Sequence, residues 1–311
     1  MRRRAVQIRY RVIMAGILFA LCWSSAATAT KFGLQSAQPF AVAVPRFFIA
    51  SVLMLGWVHL VRRKPLPAGS EWKQLAIYGL LNISIYLGIY VISIQYVSAG
   101  LGTLAVAVNP IWISIMAAAW LHLPVRRIAL VSLVICCAGI FLAAWPLLKN
   151  SYATPGGLVL LLTSTLSYSA GAVYFSKQRW NQLDILTING WQTLFGGIFL
   201  LPVLVFTYHP AKNHFDEKWM GSVLWLAIMV SILAVQLWLF LLRRNPVRAS
   251  FWLFLCPVTG FVLAAILLHE PLTPYTFGGV ALVIGGLYLV QFKKEGSRRV
   301  TPANADSETG A

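Results

Sequence analysis

Acidic residues are scarce in this chain. Of 311 residues only 8 are Asp or Glu, and charges of both signs together make up 11% of the sequence. A soluble domain carries about 25% charged residues, so this chain lacks the polar surface needed to cover itself in water. Hydrophobic residues account for 59% of it and its mean hydropathy is +0.75. The length would suit two soluble domains, but the composition excludes them, and hydrocarbon is the solvent these residues fit.

The same scarcity removes most chemistry. No Asp or Glu lies deep in an apolar run, no two carboxylates share one, and no His-x-x-x-His spacing occurs among the 5 histidines. His59, His122 and His269 stand near the ends of runs. The 4 cysteines, Cys22, Cys136, Cys137 and Cys256, lie inside apolar runs without metal-ligand or redox spacing and read as small buried hydrophobes. No metal, cofactor or catalytic constellation is expected, and a proton relay would lack its usual buried carboxylate. A membrane-embedded enzyme acting on a lipid or small molecule is the alternative class. It would need a nucleophile with its base, or paired carboxylates, near an interface.

What the chain has in quantity is apolar sequence broken by basic clusters. Runs long enough to span a bilayer cover residues 12–30, 40–61, 75–96, 103–122, 128–145, 157–175, 185–208, 220–242, 250–269 and 275–292. Short connections join them, the longest around 209–219, and a polar tail over 293–311 is expected to be disordered. The basic segment 1–11, the first run and Ala27-Thr28-Ala29 together imitate a cleavable signal peptide. Because that run has a partner in the second half, it is read as a retained span.

The net charge of +17 does not point to nucleic acid, because the basic residues sit in clusters at the ends of runs. With residues 1–11 inside, twenty of the 25 Lys and Arg fall in inner segments: within 2–11, at 62–64 and 73, at 126–127, at 177 and 179, at 243, 244 and 248, and within 293–299. The outer segments hold Lys31, Lys149, Lys212 and Lys218. This alternation requires an even number of spans, so ten helices with both termini in the cytoplasm are expected.

Sliding the chain on itself by 147 residues places Leu121-His122-Leu123-Pro124 on Leu268-His269-Glu270-Pro271, Pro110 on Pro257, Thr103 on Ser250 and Gly139 on Gly286. A shift of 145 places Trp23-Ser24 on Tyr168-Ser169. Two repeats, 12–147 and 155–292, with five spans each, must insert with opposite polarity. The expected fold is therefore an all-α membrane protein of ten transmembrane helices in two inverted five-helix repeats, an arrangement characteristic of solute transporters.

Several motifs resemble the EamA-type family of the drug/metabolite transporter superfamily. They are Trp23-Ser24-Ser25, Pro45-Arg46-Phe47, Tyr96-Val97-Ser98-Ala99-Gly100 with Asn109-Pro110, Gly190-Trp191-Gln192 with Gly196-Gly197, and Pro257 through His269-Glu270-Pro271 to Gly278-Gly279 and Gly285-Gly286. The resemblance implies a ten-helix transporter of the bacterial inner membrane. Its members include exporters of amino acids, aromatic ones among them, and of other metabolites. The partners implied are a small-molecule solute and the lipid bilayer; no oligomeric state follows. One departure is Leu123, which stands where the family commonly has an acid at the end of the fourth span, whereas Glu270 keeps the acid of the ninth.

Candidate functional residues follow from cost. Arg46 is the only basic residue well inside a span, about 9 Å deep at 1.5 Å rise per residue. It either snorkels to the outer interface or contacts an anion in a cavity. Asn82, Tyr86, Tyr90 and Ser93 form a polar stripe that must face protein or water. Pro110, preceded by Asn109, and Pro257 remove backbone hydrogen bonds in mid-helix, as bends or as gating hinges. Trp23, Ser24 and Thr28 on the first span, with Tyr168 and Ser169 on the sixth, are expected to meet near the midplane, and Trp191 with Gln192 is the counterpart of Arg46. Glu270 is expected to cap the start of the tenth helix near Thr273, and the paired glycines are expected at close helix contacts.

Overall fold

The computed structural model describes residues 2–106, 108–120, 127–149, 152–180, 183–244, 252 and 255–295. Among the described residues all regular structure is helical: α1 (Arg2–Leu34), α2 (Pro39–Leu55), α3 (Ser70–Gly79), α4 (Tyr86–Ser93), α5 (Ala99–Val106), α6 (Asn109–Trp120), α7 (Arg127–Lys149), α8 (Pro155–Lys177), α9 (Ile185–Thr207), α10 (Glu217–Trp225), α11 (Val235–Arg244), α12 (Leu255–Leu268) and α13 (Pro274–Glu295). Three π-helical stretches, Gly56–Val61, Leu80–Ile85 and Leu226–Ala234, prolong α2 or join α3 to α4 and α10 to α11.

Among the described residues seven helices are long and apolar enough to cross a membrane: Val12–Leu34, Pro39–Val61, Ser70–Ser93, Leu130–Lys149, Pro155–Lys177, Ile185–Thr207 and Glu217–Trp238. Three shorter apolar stretches, Ala99–Ile113, Leu255–Leu268 and Pro274–Gly286, occupy the places of the fourth, ninth and tenth expected spans. The fourth is not the single helix expected. It breaks between Val106 and Asn109, and Pro110 is the second residue of α6. In a first turn the missing proline N–H is no loss, since that donor has no intrahelical partner there. Pro110 is therefore not the mid-helix kink that the sequence led us to expect. Pro257 lies in α12, and residues 253–254 just before that helix are outside the described residues. Leu123 and Arg126, and the tail from residue 296, lie outside the described residues; Lys293 and Lys294 extend α13 rather than opening a disordered tail.

Equivalent helices of the two halves pack in pairs: α2 on α9, α5 on α12 and α7 on α13. They run antiparallel, for a side chain built at Gly197 would meet Phe47 while one at Gly190 would meet Leu55. The first helix of each half instead packs on the other half. Thus α1 lies against α12 and the α10 region, and α8 lies against α4 and α6. The expected meeting of α1 with α8 is replaced by this exchange, which leaves a space between them.

Local chemistry supports each joint. Pro45 inside α2 carries no N–H, and Trp219 Nε1 donates to the carbonyl of Ala41, four residues earlier, at 2.9 Å. Asp216 caps α10 through the Trp219 amide at 2.9 Å and accepts from the Ser36 hydroxyl at 2.8 Å; these donors hold its carboxyl below the usual carboxylate range.

The contact between α7 and α13 depends on two facing glycines. A Cβ on Gly279 would overlap the Gly139 carbonyl, and one on Gly139 would come within 2.7 Å of the Gly279 carbonyl. Gly285 has nothing within 4 Å and contributes no such contact. Gly279→Val is therefore expected to lower the unfolding temperature in detergent by several degrees, corresponding to about 1–3 kcal/mol. Gly285→Ala should leave it unchanged or raise it slightly, by up to about 1 kcal/mol of helix propensity. Thermal unfolding of both variants followed by tryptophan fluorescence measures the difference.

Candidate functional site

The space between α1 and α8 is a cavity of about 380 Å³ walled by both halves of the chain. The first half supplies Trp23, Arg46, Asn82, Tyr86, Tyr90 and Thr103, and the second supplies Tyr168, Phe175, Asn189, Gln192, Ser231 and Trp238, among others. Aromatic rings make up much of the wall. Tyr86 and Tyr168 meet edge to face with centroids 5.0 Å apart, and Tyr78 lies 5.2 Å from Phe175.

Two of the π-helical stretches face this cavity, and they occupy equivalent places in the two repeats. Leu80–Ile85 brings Asn82 and Ile83 to the wall, and Leu226–Ala234 brings Val230 and Ser231. A π-bulge inserts a residue into the helix and turns side chains that regular winding would point elsewhere. Ser84 and Ser231 are 147 positions apart, the register of the sequence repeat.

The polar side chains of the wall form a relay. Asn82 Nδ2 donates to Gln192 Oε1 at 3.0 Å, and Gln192 Nε2 donates to Asn189 Oδ1 at 2.9 Å. Asn189 Nδ2 donates to the Ser231 carbonyl at 3.0 Å, and Arg46 Nε donates to the Ser231 hydroxyl at 3.1 Å. The relay ties α2, the Leu80–Ile85 stretch, α9 and the Leu226–Ala234 stretch together across the cavity. Arg46 is 8% exposed and opens on the cavity. The ion pairs among the described residues are Lys31 with Glu270 and Arg62 with Asp184, which leaves the Arg46 guanidinium without a carboxylate.

Of the candidates read from the sequence, Trp23, Arg46, Asn82, Tyr86, Tyr90, Tyr168 and Gln192 line the cavity. The rest do not. The Ser24 hydroxyl donates to the Leu21 carbonyl and accepts from Thr259, Ser93 bonds back to the Tyr90 carbonyl, and Ser169 bonds to the Thr165 carbonyl. Thr28 and Asn109 are buried behind the wall, with Thr28 Oγ1 and Asn109 Oδ1 lacking a protein partner. Trp191 turns outward, donates to His59 Nε2 at 3.1 Å and packs edge-on against Trp72. The sequence reading missed Asn189, Thr193 and Ser231. Helical spacing would have found the first two, since Asn189, Gln192 and Thr193 form the same i, i+3, i+4 stripe recognised on the third span.

The cavity ends differently at its two sides. Its wall continues to Ser176, which is exposed next to Lys177, and to Ile185. Toward the opposite side the wall reaches Thr103, beyond which α5 begins at a buried Ala99. Glu270 is tied there. Its carboxylate accepts from the Ala99 amide at 2.7 Å and the Gly100 amide at 3.2 Å, and Lys31 Nζ lies 3.5 Å away. The acid thus caps α5 of the other half, not the tenth helix as expected. Thr273 and Thr276 cap that one reciprocally, each hydroxyl accepting from the other's amide. The left-handed backbone of His269, φ 54°, turns the chain so that Glu270 leaves α12 toward α5.

Glu270→Ala strands two buried amides and the Lys31 ammonium, a loss of about 1–3 kcal/mol. It should lower the unfolding temperature by several degrees, whereas Glu270→Gln, which keeps one accepting oxygen, should lose about half as much. The same fluorescence melt checks both.

The sequence matches the model of the EamA-like transporter family twice, over residues 10–145 and 155–292. An uncharacterised transporter of Archaeoglobus fulgidus is 28% identical over 278 residues, covering 88% of this chain and 95% of its own. Protein PecM of Dickeya dadantii is 28% identical over 286 residues, with 90% and 93% covered. The uncharacterised inner membrane transporter YedA of Escherichia coli is 25% identical over 294 residues, with 92% and 94% covered. A solved crystal structure shares the fold with a TM-score of 0.64 at 14% identity, over 92% of this chain and 98% of that one. These matches span both halves, the ones that build the cavity between them, and the chain belongs to the EamA-like transporter family.

Proposed function

We propose that this membrane transporter exports small carboxylate metabolites, amino acids and their relatives among them, from the bacterial cytoplasm by alternating access. The reading takes it as ten spans in the inner membrane. Residues 1–11 and 293–311 lie in the cytoplasm, and 12–147 and 155–292 are two inverted halves that move against each other. Its main support is the cavity, built from both halves, polar at Arg46 and the amide relay, and asymmetric at its ends. The exposed Ser176 end carries Lys177 and lies on the side of Arg62 and Lys64, the side assigned to the cytoplasm by charge. The other end is tied by Glu270 and Lys31.

In this cycle a solute enters from the cytoplasm and its carboxylate meets Arg46. The halves then exchange conformations, which breaks the contacts of Glu270 with α5. The break before Asn109-Pro110 and the proline Pro257 of α12 are the proposed hinges. No Asp or Glu lines the cavity among the described residues, so the cycle needs no proton on a buried carboxylate. Flux that depended strictly on a pH gradient would contradict this part of the reading.

The test uses cells overexpressing the chain, challenged with toxic analogues of amino acids and of other carboxylate metabolites. Resistance to at least one analogue is expected, with the compound recovered unmodified in the medium. Resistance accompanied by a chemically altered compound would favour the alternative of a membrane-embedded enzyme. No shift in tolerance across the panel would count against export. Gln192→Ala, which cuts the relay, should reduce the protection by about tenfold, as expected for a polar group that positions solute.

A further inference from the structure

Charge balance inside the cavity narrows the solute beyond the class just proposed, and the narrowing rests on that reading. Three observations meet. The guanidinium of Arg46 is buried, opens on the cavity, lies 5.2 Å from the Phe47 ring centroid and donates to the Ser231 hydroxyl at 3.1 Å, with no carboxylate partner among the described residues. Other basic groups near the membrane interior are already used, for Lys31 is paired with Glu270. Among the described residues that line the cavity there is no Asp or Glu, and its side-chain amides are engaged with one another and with the Ser231 carbonyl.

A buried cation without a counter-ion is costly, and the arrival of an anion relieves the cost. A solute with one carboxylate and no other charge brings the occupied cavity to neutrality. A zwitterionic amino acid does not, because its carboxylate can satisfy Arg46 but its ammonium finds no acid and leaves the cavity as positive as before. Aromatic faces can hold an ammonium by cation–π contact, but here they would do so beside a second cation in a medium of low dielectric. The rings of Trp23, Tyr86 and Tyr168 instead suit the edge and face of a planar apolar body.

We propose that the preferred solute is an aromatic monocarboxylate lacking an ammonium group, its carboxylate on Arg46 and its ring among Trp23, Tyr86 and Tyr168. Such a solute leaves the cytoplasm as an anion. Each turnover then moves one negative charge outward, and an inside-negative membrane potential drives it without a proton relay.

The experiment is counterflow in proteoliposomes of the full chain with radiolabelled phenylacetate and phenylalanine, a pair differing in the ammonium group. Phenylacetate is expected to exchange at least tenfold faster, and to produce an electrical current when the protein is adsorbed on a supported membrane. Arg46→Gln should abolish this exchange and Arg46→Lys should retain a minor part, since lysine keeps the charge but loses the planar fork. Arg46 variants that fail to fold are covered by Asn82→Asp, which is isosteric and adds an acid to the wall. It should slow phenylacetate at least fivefold more than it slows phenylalanine, since the lost amide donor to Gln192 affects both solutes and the added charge opposes only the anion. Phenylalanine carried as fast as phenylacetate, or an unaltered phenylacetate rate in Asn82→Asp, would overturn the proposal. Transport of neither compound, with another metabolite carried, overturns it and leaves the transporter reading standing; transport of no solute at all overturns both.

Discussion

Hydrocarbon offers a polar side chain no partner, and the arrangement of this chain follows from where it hides the few it keeps. Asn82, Gln192, Asn189, Ser231 and Arg46 all turn inward and satisfy one another across the boundary between the halves. Outside that relay the helices meet through apolar clusters and through close approaches of small residues, as where Gly139 faces Gly279. The polar seam is therefore both the joint between the halves and the wall of the cavity.

A joint built this way can open and reclose. Apolar surfaces lose little when they slide in lipid, and an amide relay can trade one partner for a solute or a water. The π-helical stretches matter in this respect, because each already carries an irregular winding at the cavity wall, one per repeat. The exchange of α1 and α8 gives each half a helix embedded in the other, so the cavity walls of the two halves are coupled. The asymmetry of the ends has a source in composition. Glu270 ties α5, whereas its repeat partner is Leu123, which has no carboxylate to offer.

Much of this was legible in the sequence. Apolar runs fixed where the helices would be, since their length is a physical requirement of the bilayer, and the repeat announced two related halves. Arg46 and the Asn82, Tyr86, Tyr90 stripe stood out because polar groups in a span need a reason. What escaped was three-dimensional. Nothing in the linear pattern marks a π-bulge, so the facing of Ser231 was hidden. Trp191 and Gln192 are neighbours in sequence but point about 100° apart on a helix, and only one of them could reach the cavity. Glu270 suggested a cap of the next helix, but the left-handed turn at His269 sends it to α5. The fourth span looked continuous because a proline inside a run signals a kink and a helix start equally well.

The central claim is that one cavity between two inverted halves is reached from each side of the membrane in turn. Thr103 lines its closed end and is 5% exposed. With the native cysteines replaced, Thr103→Cys in sealed vesicles of known orientation can be treated with a membrane-impermeant thiol reagent from either face. Alternating access predicts labelling from the cytoplasmic face at rest and from the outer face once solute is cycling, with no leak of small ions. Labelling confined to one face under all conditions, despite measurable transport, would contradict it.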